Sequence, residues 1–226
     1  MLFGTIVVAI RTLDAVHVGV DSKVISIRCA IANAPIEQKL HQVSDVVFAH
    51  AGLFRDVQGK LDVVATATAS IAAGGELEQV ADHFVATIES QLSASLHDVR
   101  EQNPPYFRAK LQRPLEVLFV SARDGVPKIV VVFFEVADPT SGRLGFRVTR
   151  LRCPGDCSNT GSTTIALGEH DAADHFLDTH PELLRMGGPF AAIKEAISNQ
   201  ASVTPDFVSL PTVVVSIDRR GTHFLN

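Results

Sequence analysis

The chain has 226 residues, of which 46% are hydrophobic, and it carries a formal net charge of −5 at pH 7. This length suits one domain, or at most two, with a large apolar core. A mildly acidic chain without a basic stripe is poorly suited to nucleic acid as its main partner. No apolar run is long enough to span a bilayer and no signal peptide is indicated, so the sequence predicts a cytoplasmic protein.

The first part of the chain has the apolar alternation and β-branched residues that are typical of strands. Strands are predicted near 5–11, 15–22, 25–32, 39–43 and 45–51. A helix is then expected from about 54 to 72, ending at Gly74-Gly75. Between about 76 and 102 apolar residues recur at three- and four-residue spacing, which predicts a second helix that ends at Pro104-Pro105.

The second part of the chain repeats this order of strands followed by helices. Strands are predicted at 115–122, 128–136, 145–152, 162–167 and 212–218, and helices near 169–185 and 188–200. There is no internal repeat and no low-complexity linker, so residues 1–226 are expected to form a single domain. Layer packing would bury every apolar face if two stacked antiparallel sheets carried the helix pairs on their outer faces.

The three cysteines, Cys29, Cys153 and Cys157, form an odd set. Because stable disulfides are rare in the cytosol, the Cys153-Pro-Gly-Asp-Cys157 turn favours two reduced thiols, with a local disulfide as the alternative. A zinc site would need two further ligands. The helix near 169–175 also places histidine and aspartate one turn apart, but no third ligand is identifiable. No metal or cofactor is therefore predicted.

Gly4-Thr5 is the motif that points to chemistry. If the chain is cut between these residues, Thr5 carries a hydroxyl and a free α-amine on one residue, and the amine can act as the base for its own nucleophile. Residues 1–4 would then be a short propeptide. Without that cleavage, Thr5 is an ordinary strand residue.

Three stretches resemble a known family. These are Gly4-Thr5-Ile-Val with Asp21-Ser22, then Lys39-Leu40 with the strand that ends at Gly52, and finally Asp206-Phe-Val-Ser209. With the order of elements, they make the chain similar, over nearly its whole length, to a proteasome-type β subunit of the N-terminal-nucleophile hydrolases. The resemblance implies an α+β fold, a four-layer αββα sandwich of two antiparallel sheets flanked by helix pairs.

The resemblance also implies a role for each matching residue. The hydroxyl of Thr5 would attack an amide carbonyl, Lys39 would hold a positive charge beside it, and Asp21 would anchor Lys39 as an ion pair. Asp206 and Ser209 would hold the amine by hydrogen bonds. The backbone N–H of Gly52, or of its neighbour, would stabilise the oxyanion.

The chain departs from the family pattern before the third long helix. The family has a Gly-Ser-Gly turn there, whereas this chain reads Ala166-Leu-Gly-Glu-His170, so Glu169 replaces the serine that supports the amine. A carboxylate at this place would accept a hydrogen bond from the amine, but it would also raise the amine's pKa and so weaken it as a base.

Taken together, the motifs predict a threonine-type amide hydrolase, most consistent with a peptidase acting on peptides or proteins. The resemblance implies homo-oligomeric rings and allows an ATPase partner. The alternative is a catalytically inactive structural or regulatory subunit that keeps residues 1–4. A third reading is a hydrolase of a small amide rather than a peptide.

Overall fold

The computed structural model describes residues 2–4, 6–22, 24–26, 39–56, 58–139, 144–157 and 161–225. Within these ranges the chain forms two antiparallel sheets and six α-helices. Thr5, Cys29 and the part of the predicted third strand at 27–32 lie outside the described residues.

Sheet A is the larger sheet, with seven strands in the described ranges. Its strands are β1 (Leu2–Gly4), β4 (Val24–Ser26), β5 (Leu40–Val43), β6 (Val46–Arg55), β7 (Leu115–Ser121), β8 (Lys128–Val136) and β9 (Phe146–Cys153). They pair in the order β4-β1-β6-β7-β8-β9, and β5 also pairs with β6. β5 and β1 therefore pair with successive halves of the long strand β6.

Sheet B has five strands in the described ranges. They are β2 (Ile6–Arg11), β3 (Ala15–Val20), β10 (Thr163–Gly168), β11 (Val213–Asp218) and β12 (Gly221–Leu225), paired in the order β10-β2-β3-β11-β12. β2 and β3 form the hairpin that the sequence predicts, and the N–H of Thr12 donates to the carbonyl of Ala15 at 2.8 Å to close its turn.

The helices fall into two groups along the chain. They are α1 (Val63–Ala72), α2 (Leu77–Gln102), α3 (Pro104–Lys110), α4 (Asp171–Thr179), α5 (Pro181–Met186) and α6 (Gly188–Val203). Their ends are set by local chemistry: the Asp62 carboxylate accepts from the N–H of Ala65 at 2.9 Å, and Glu76 forms a capping box with Gln79. α1 and α2 are therefore distinct helices with separate caps.

Two expected helix bounds were wrong, and one helix, α3, was not predicted. β6 continues to Arg55, so the first helix begins at Val63 and not near residue 54. Pro104 and Pro105 end α2 but also occupy the first turn of α3, because a proline at that position loses no helical hydrogen bond. Pro181 likewise begins α5 and divides the predicted 169–185 helix in two.

The buried side chains of the described residues form three clusters. α1, α2 and α3 pack on sheet A around the rings of Phe84, Phe119 and Phe134. α4 and α6 pack on sheet B. The third cluster draws on strands of both sheets, including β2, β3, β6 and β7. Near-continuous apolar runs in the central strands explain this arrangement, since such strands have apolar residues on both faces.

The chain passes from one sheet to the other between Gly4 and Ile6. Gly4 ends β1, which lies between β4 and β6 in sheet A, and Ile6 begins β2 in sheet B. The sequence did not indicate that residues 2–4 form a strand. This crossing places the end of β1, the start of β2 and the neighbouring strand ends at one place in the fold.

Two further observations concern the chain as a whole. Cys153 and Cys157 form a disulfide with their Cα atoms 5.2 Å apart, so the preferred interpretation of two reduced thiols was wrong and the local-disulfide alternative is correct. None of the helices in the described ranges combines the length and apolar character needed to cross a membrane.

Candidate active site

Asp21 and Lys39 form a buried ion pair beside the crossing between the sheets. Asp21 directly follows β3, and Lys39 directly precedes β5, so neighbouring strand ends bring them together. The Lys39 Nζ donates to Asp21 Oδ1 at 2.5 Å, and both side chains are at most 1% exposed. Because each charge lies within hydrogen-bond reach of the other, the cost of burying it is offset.

The Asp21 carboxylate also holds two backbone segments. Its Oδ1 accepts from the N–H of Ile6 and its Oδ2 from the N–H of Ser209, each at 3.3 Å. The N–H of Ser22 donates to the Ser209 carbonyl at 3.2 Å, and the two serine hydroxyls are 3.2 Å apart. One buried carboxylate therefore joins Lys39, the start of β2 and the segment that leads into β11.

Gly52 lies opposite the end of β1. It pairs with Gly4 on one side and with Leu115 on the other, and its φ is +86°. A Cβ at this position would lie 2.4 Å from the carbonyl oxygen of Pro114, so only glycine fits both the backbone conformation and the space. This conformation places the Gly52 backbone beside the residue that precedes Thr5.

The predicted site residues divide into two groups. Asp21, Lys39 and Ser209 come together, and Gly52 faces the end of β1. Their catalytic roles, like that of Thr5, which lies outside the described residues, remain predictions.

Glu169 and Asp206 form the other group, because both are exposed. Glu169 directly follows Gly168, which pairs with Ile6, so it lies at the end of β10 next to the start of β2. Asp206 lies in a turn whose N–H groups at Phe207 and Val208 donate to the Thr204 carbonyl. The predicted contacts of these two carboxylates with the amine stay predictions.

Glu116 is a polar residue of this region that the sequence analysis missed. It is 5% exposed, on β7, and its Oε2 accepts from the N–H of Gly168 at 2.7 Å. Burial raises the pKa of Glu116, although the Gly168 N–H and the charges of Arg113 and His170 act in the opposite direction. The sequence signal was a single acidic residue inside a strand whose remaining residues are all apolar or small.

His50 on β6 is the second residue that was missed. It is fully buried, its ring lies 4.6 Å from that of Phe54, and neither ring nitrogen has a hydrogen-bond partner among the described residues. Burial, reinforced by the charges of His41, Lys39 and Arg55, lowers the pKa of His50 from 6.5 to about 3. The imidazole is therefore neutral at physiological pH and adds no charge beside Lys39.

The predicted helix near 169–175 does contain a histidine–carboxylate contact. The Nδ1 of His170 lies 2.7 Å from Asp174 Oδ2, and this hydrogen bond raises the pKa of His170. Among the described residues, no group of three histidine, cysteine, aspartate or glutamate side chains is arranged to hold a metal ion. The contact is thus a hydrogen bond between histidine and carboxylate at the start of α4.

Comparisons with known proteins give a result at the level of the fold. A mutant of Anbu from Hyphomicrobium sp. strain MC1 is similar in structure, with a TM-score of 0.56 and 14% sequence identity, over 99% of this chain and 85% of that chain. No family model matches the sequence, and no curated protein matches it. The likeness shows a shared fold.

Proposed function

We propose that this chain is a threonine-type amide hydrolase of the N-terminal-nucleophile class, with four αββα layers, whose nucleophile is released by cleavage between Gly4 and Thr5. The observation that carries the proposal is the convergence at this bond. Gly4 pairs with Gly52 before it, and the N–H of Ile6 after it binds the Asp21 carboxylate that holds Lys39. This fold and this crossing of the chain support the proposal.

The chemistry follows from the groups that flank the bond. After cleavage, the α-amine of Thr5 takes the hydroxyl proton while the oxygen bonds to the carbonyl carbon of the substrate. The C–N bond of the amide then breaks, and the leaving amine takes that proton. Water hydrolyses the resulting ester, which releases the acid and restores the Thr5 hydroxyl. An ammonium such as that of Lys39 favours the alkoxide and lowers the pKa of the amine. The Gly52 N–H would donate to the oxyanion, an interaction whose loss typically costs about 3 kcal/mol of barrier.

A peptide or protein substrate fits this proposal better than a small amide. β1 lies as a central strand between β4 and β6, so its removal would leave two facing strand edges. An extended peptide can occupy such a gap by main-chain hydrogen bonds on both sides. We further propose, from the sequence resemblance, that the chain assembles into homo-oligomeric rings and that an ATPase can serve as a partner.

The second candidate is a catalytically inactive subunit that keeps residues 1–4. The pairing of β1 with two neighbouring strands favours it, because those hydrogen bonds stabilise the uncut chain. The acidic residue Glu169 at the end of β10, where the family has serine, points the same way.

The deciding experiment is the intact mass and N-terminal sequence of the purified full-length chain. The proposal expects a species that begins at Thr5 and hydrolyses a panel of fluorogenic tripeptide amides. Thr5→Ala should stay uncut and inactive, while Thr164→Ala, which changes an exposed threonine on β10, should behave like the unchanged protein. The same preparations should be compared by size-exclusion chromatography, because rings should form in both variants.

Two outcomes would decide against the proposal. If the chain keeps residues 1–4 under all conditions and no threonine-directed inhibitor adds to its mass, the inactive subunit is correct. If Thr5→Ala is processed and active like the unchanged protein, Thr5 is not the nucleophile.

A further inference from the structure

Glu116 is a second buried carboxylate close to the bond before Thr5. On β6, Gly52 pairs with both Gly4 and Leu115, and the preceding residue Ala51 pairs with Glu116. Glu116 therefore lies on β7, one residue beyond the position that is level with Gly4, the end of β1. β6 lies between β1 and β7. Adjacent strands lie about 4.8 Å apart, so β7 and β1 are separated by two strand spacings, about 10 Å.

The side chain of Glu116 points toward sheet B. One face of β7 packs in the cluster that α1, α2 and α3 form on sheet A; it carries Leu115, Val117 and Phe119. The other face packs in the cluster that draws on both sheets; it carries Leu118 and Val120. Glu116 shares the face of Leu118 and Val120 because successive residues of a strand face opposite sides.

From this face the carboxylate reaches the strand next to β2. Its Oε2 accepts from the N–H of Gly168 at 2.7 Å, and Gly168 pairs with Ile6. Ile6 is also the residue whose N–H binds Asp21. The start of β2 therefore has a buried carboxylate on each side, Asp21 after β3 and Glu116 through β10.

The charged groups around Glu116 come from three places among the described residues. Arg113, just before β7, lies 3.6 Å from Glu116 Oε1 and 2.8 Å from Glu135 on β8. His170, at the start of α4, interacts with Glu116, Asp171 and Asp174. Arg113 and His170 are both partly exposed, so this carboxylate is linked to groups that reach solvent.

We propose that Glu116 is a positioning residue for the reaction at Thr5: it fixes Gly168 beside the start of β2 and places a negative charge near the amine that cleavage creates. The inference rests on the proposed function. The α-amine must be neutral to act as the base, and an α-amine ordinarily titrates near 8. A nearby negative charge favours the ammonium form, raises the amine's pKa and moves the acid limb of the activity profile to higher pH.

Replacing Glu116 by glutamine removes the charge but keeps an oxygen that can accept from Gly168. The acid limb of kcat/KM should then move to lower pH, because the amine loses the anion that raises its pKa. We take the spacing of β7 and β1, about 10 Å, as the scale of the separation between the two charges. The expected shift is then about 0.3 to 1.2 pH units, between the limits for water and for a protein surface. Glu116→Ala also loses the acceptor for Gly168, so its kcat should fall about 10- to 100-fold at every pH.

The experiment compares the full-length chain with Glu116→Gln, Glu116→Ala and Glu135→Gln. Glu135→Gln is the matched control, since Glu135 binds the same arginine without touching Gly168. Each protein is measured for cleavage before Thr5 by intact mass, for kcat and KM on fluorogenic tripeptide amides from pH 5 to 10, and for melting temperature. The expected result is a shifted acid limb in Glu116→Gln with Glu135→Gln unchanged.

The outcomes are separable. If the unchanged chain is processed and active but Glu116→Gln has the same acid limb, Glu116 has no electrostatic role and the inference fails alone. If the unchanged chain is neither cut nor active, the inference fails together with the proposed function. If the glutamine and alanine variants do not fold, Glu116→Asp decides: a kcat equal to that of the unchanged protein refutes the positioning role, and a lower kcat with an unmoved acid limb supports it.

Discussion

Two carboxylates flank the start of β2, and their surroundings differ. Asp21 and Lys39 bind each other at 2.5 Å with side chains that are at most 1% exposed. Glu116 is also buried, but its arginine partner lies 3.6 Å away with half of its side chain exposed. The first carboxylate is matched by a cation at the same depth, whereas the second depends on a cation at the surface.

This difference has consequences for stability and for titration. A buried ion pair is strongly destabilised when one member is removed, because the other remains in the interior without its counter-charge. A buried acid whose cation lies in solvent is held less tightly in its ionised form, and burial accordingly raises the pKa of Glu116. We therefore expect the Asp21 region to respond to mutation and the Glu116 region to respond to pH.

The largest effect should come from Asp21→Ala. The change removes the carboxylate that Lys39 binds, and it also removes the acceptor for the N–H groups of Ile6 and Ser209. The expected loss in the free energy of unfolding is about 3–5 kcal/mol. Urea denaturation followed by circular dichroism measures it.

The matched control replaces both members of the pair by apolar residues, Asp21→Leu with Lys39→Met. Such a replacement is often neutral for stability, so the double variant should recover much of the loss while hydrolysis stays absent. A cost below about 1 kcal/mol for Asp21→Ala alone would show that the interior does not depend on this ion pair.

The second effect concerns the backbone beside that pair. Gly52→Ala would place a Cβ 2.4 Å from the Pro114 carbonyl at a φ of +86°, and we expect it to cost about 3 kcal/mol. Gly59→Ala is the control, because Gly59 has a φ of +73° but nothing within 4 Å of the added atom, so only the conformational strain of about 1 kcal/mol applies. Equal costs for the two variants would mean that the contact with Pro114 relaxes freely.

The comparison also shows which features the sequence could predict. The β2–β3 hairpin and α2 follow from local periodicity, and the Asp21–Lys39 contact follows from the family resemblance. β1 could not be predicted, because three residues show no alternation and its pairing partners lie twenty or more residues away. The consecutive apolar residues Leu53 and Phe54 fit either a helix or a strand, so the sequence does not show where β6 ends. The pairing of Arg55 with Leu2 shows that the strand continues to Arg55.

Glu116 illustrates a different limit. Its place within an apolar strand indicated an unusual environment, but its partner Gly168 is 52 residues away. Glu116 on β7 and Glu169 both lie near the end of β10, and the sequence cannot show which of the two carboxylates faces the interior. Glu169 was chosen from the family motif, and the structure places that residue at the surface.

His50 is as deeply buried as Asp21 and Lys39, but its ring has no hydrogen-bond partner among the described residues. The third prediction concerns the effect of this buried imidazole on the pH dependence of stability. Its pKa is lowered from 6.5 to about 3 in the folded protein, so below pH 6.5 the unfolded chain binds a proton that the folded chain does not. Stability is therefore present above pH 6.5 and is lost as the pH falls toward 3. The loss is about 1.4 kcal/mol per unit, or about 2 kcal/mol at pH 5.

The measurement is the free energy of unfolding of the unchanged protein and of His50→Phe at several values between pH 5 and 8. Phenylalanine keeps a ring that can pack near Phe54 and removes the titrating group. The difference between the two proteins should grow by about 2 kcal/mol from pH 6.5 to pH 5. If the difference is constant, His50 has the same pKa in the folded and in the unfolded chain.

The smallest effect should come from the surface partner of Glu116. Arg113→Met removes a half-exposed guanidinium, so the loss of stability should stay below about 1 kcal/mol at pH 7. The loss should shrink as the pH falls through the raised pKa of Glu116, since the attraction exists only while that carboxylate is ionised. A double-mutant cycle with Glu116→Gln isolates this pair from the contact of Arg113 with Glu135. A coupling energy that does not change with pH would mean that Glu116 keeps one charge state over the whole range.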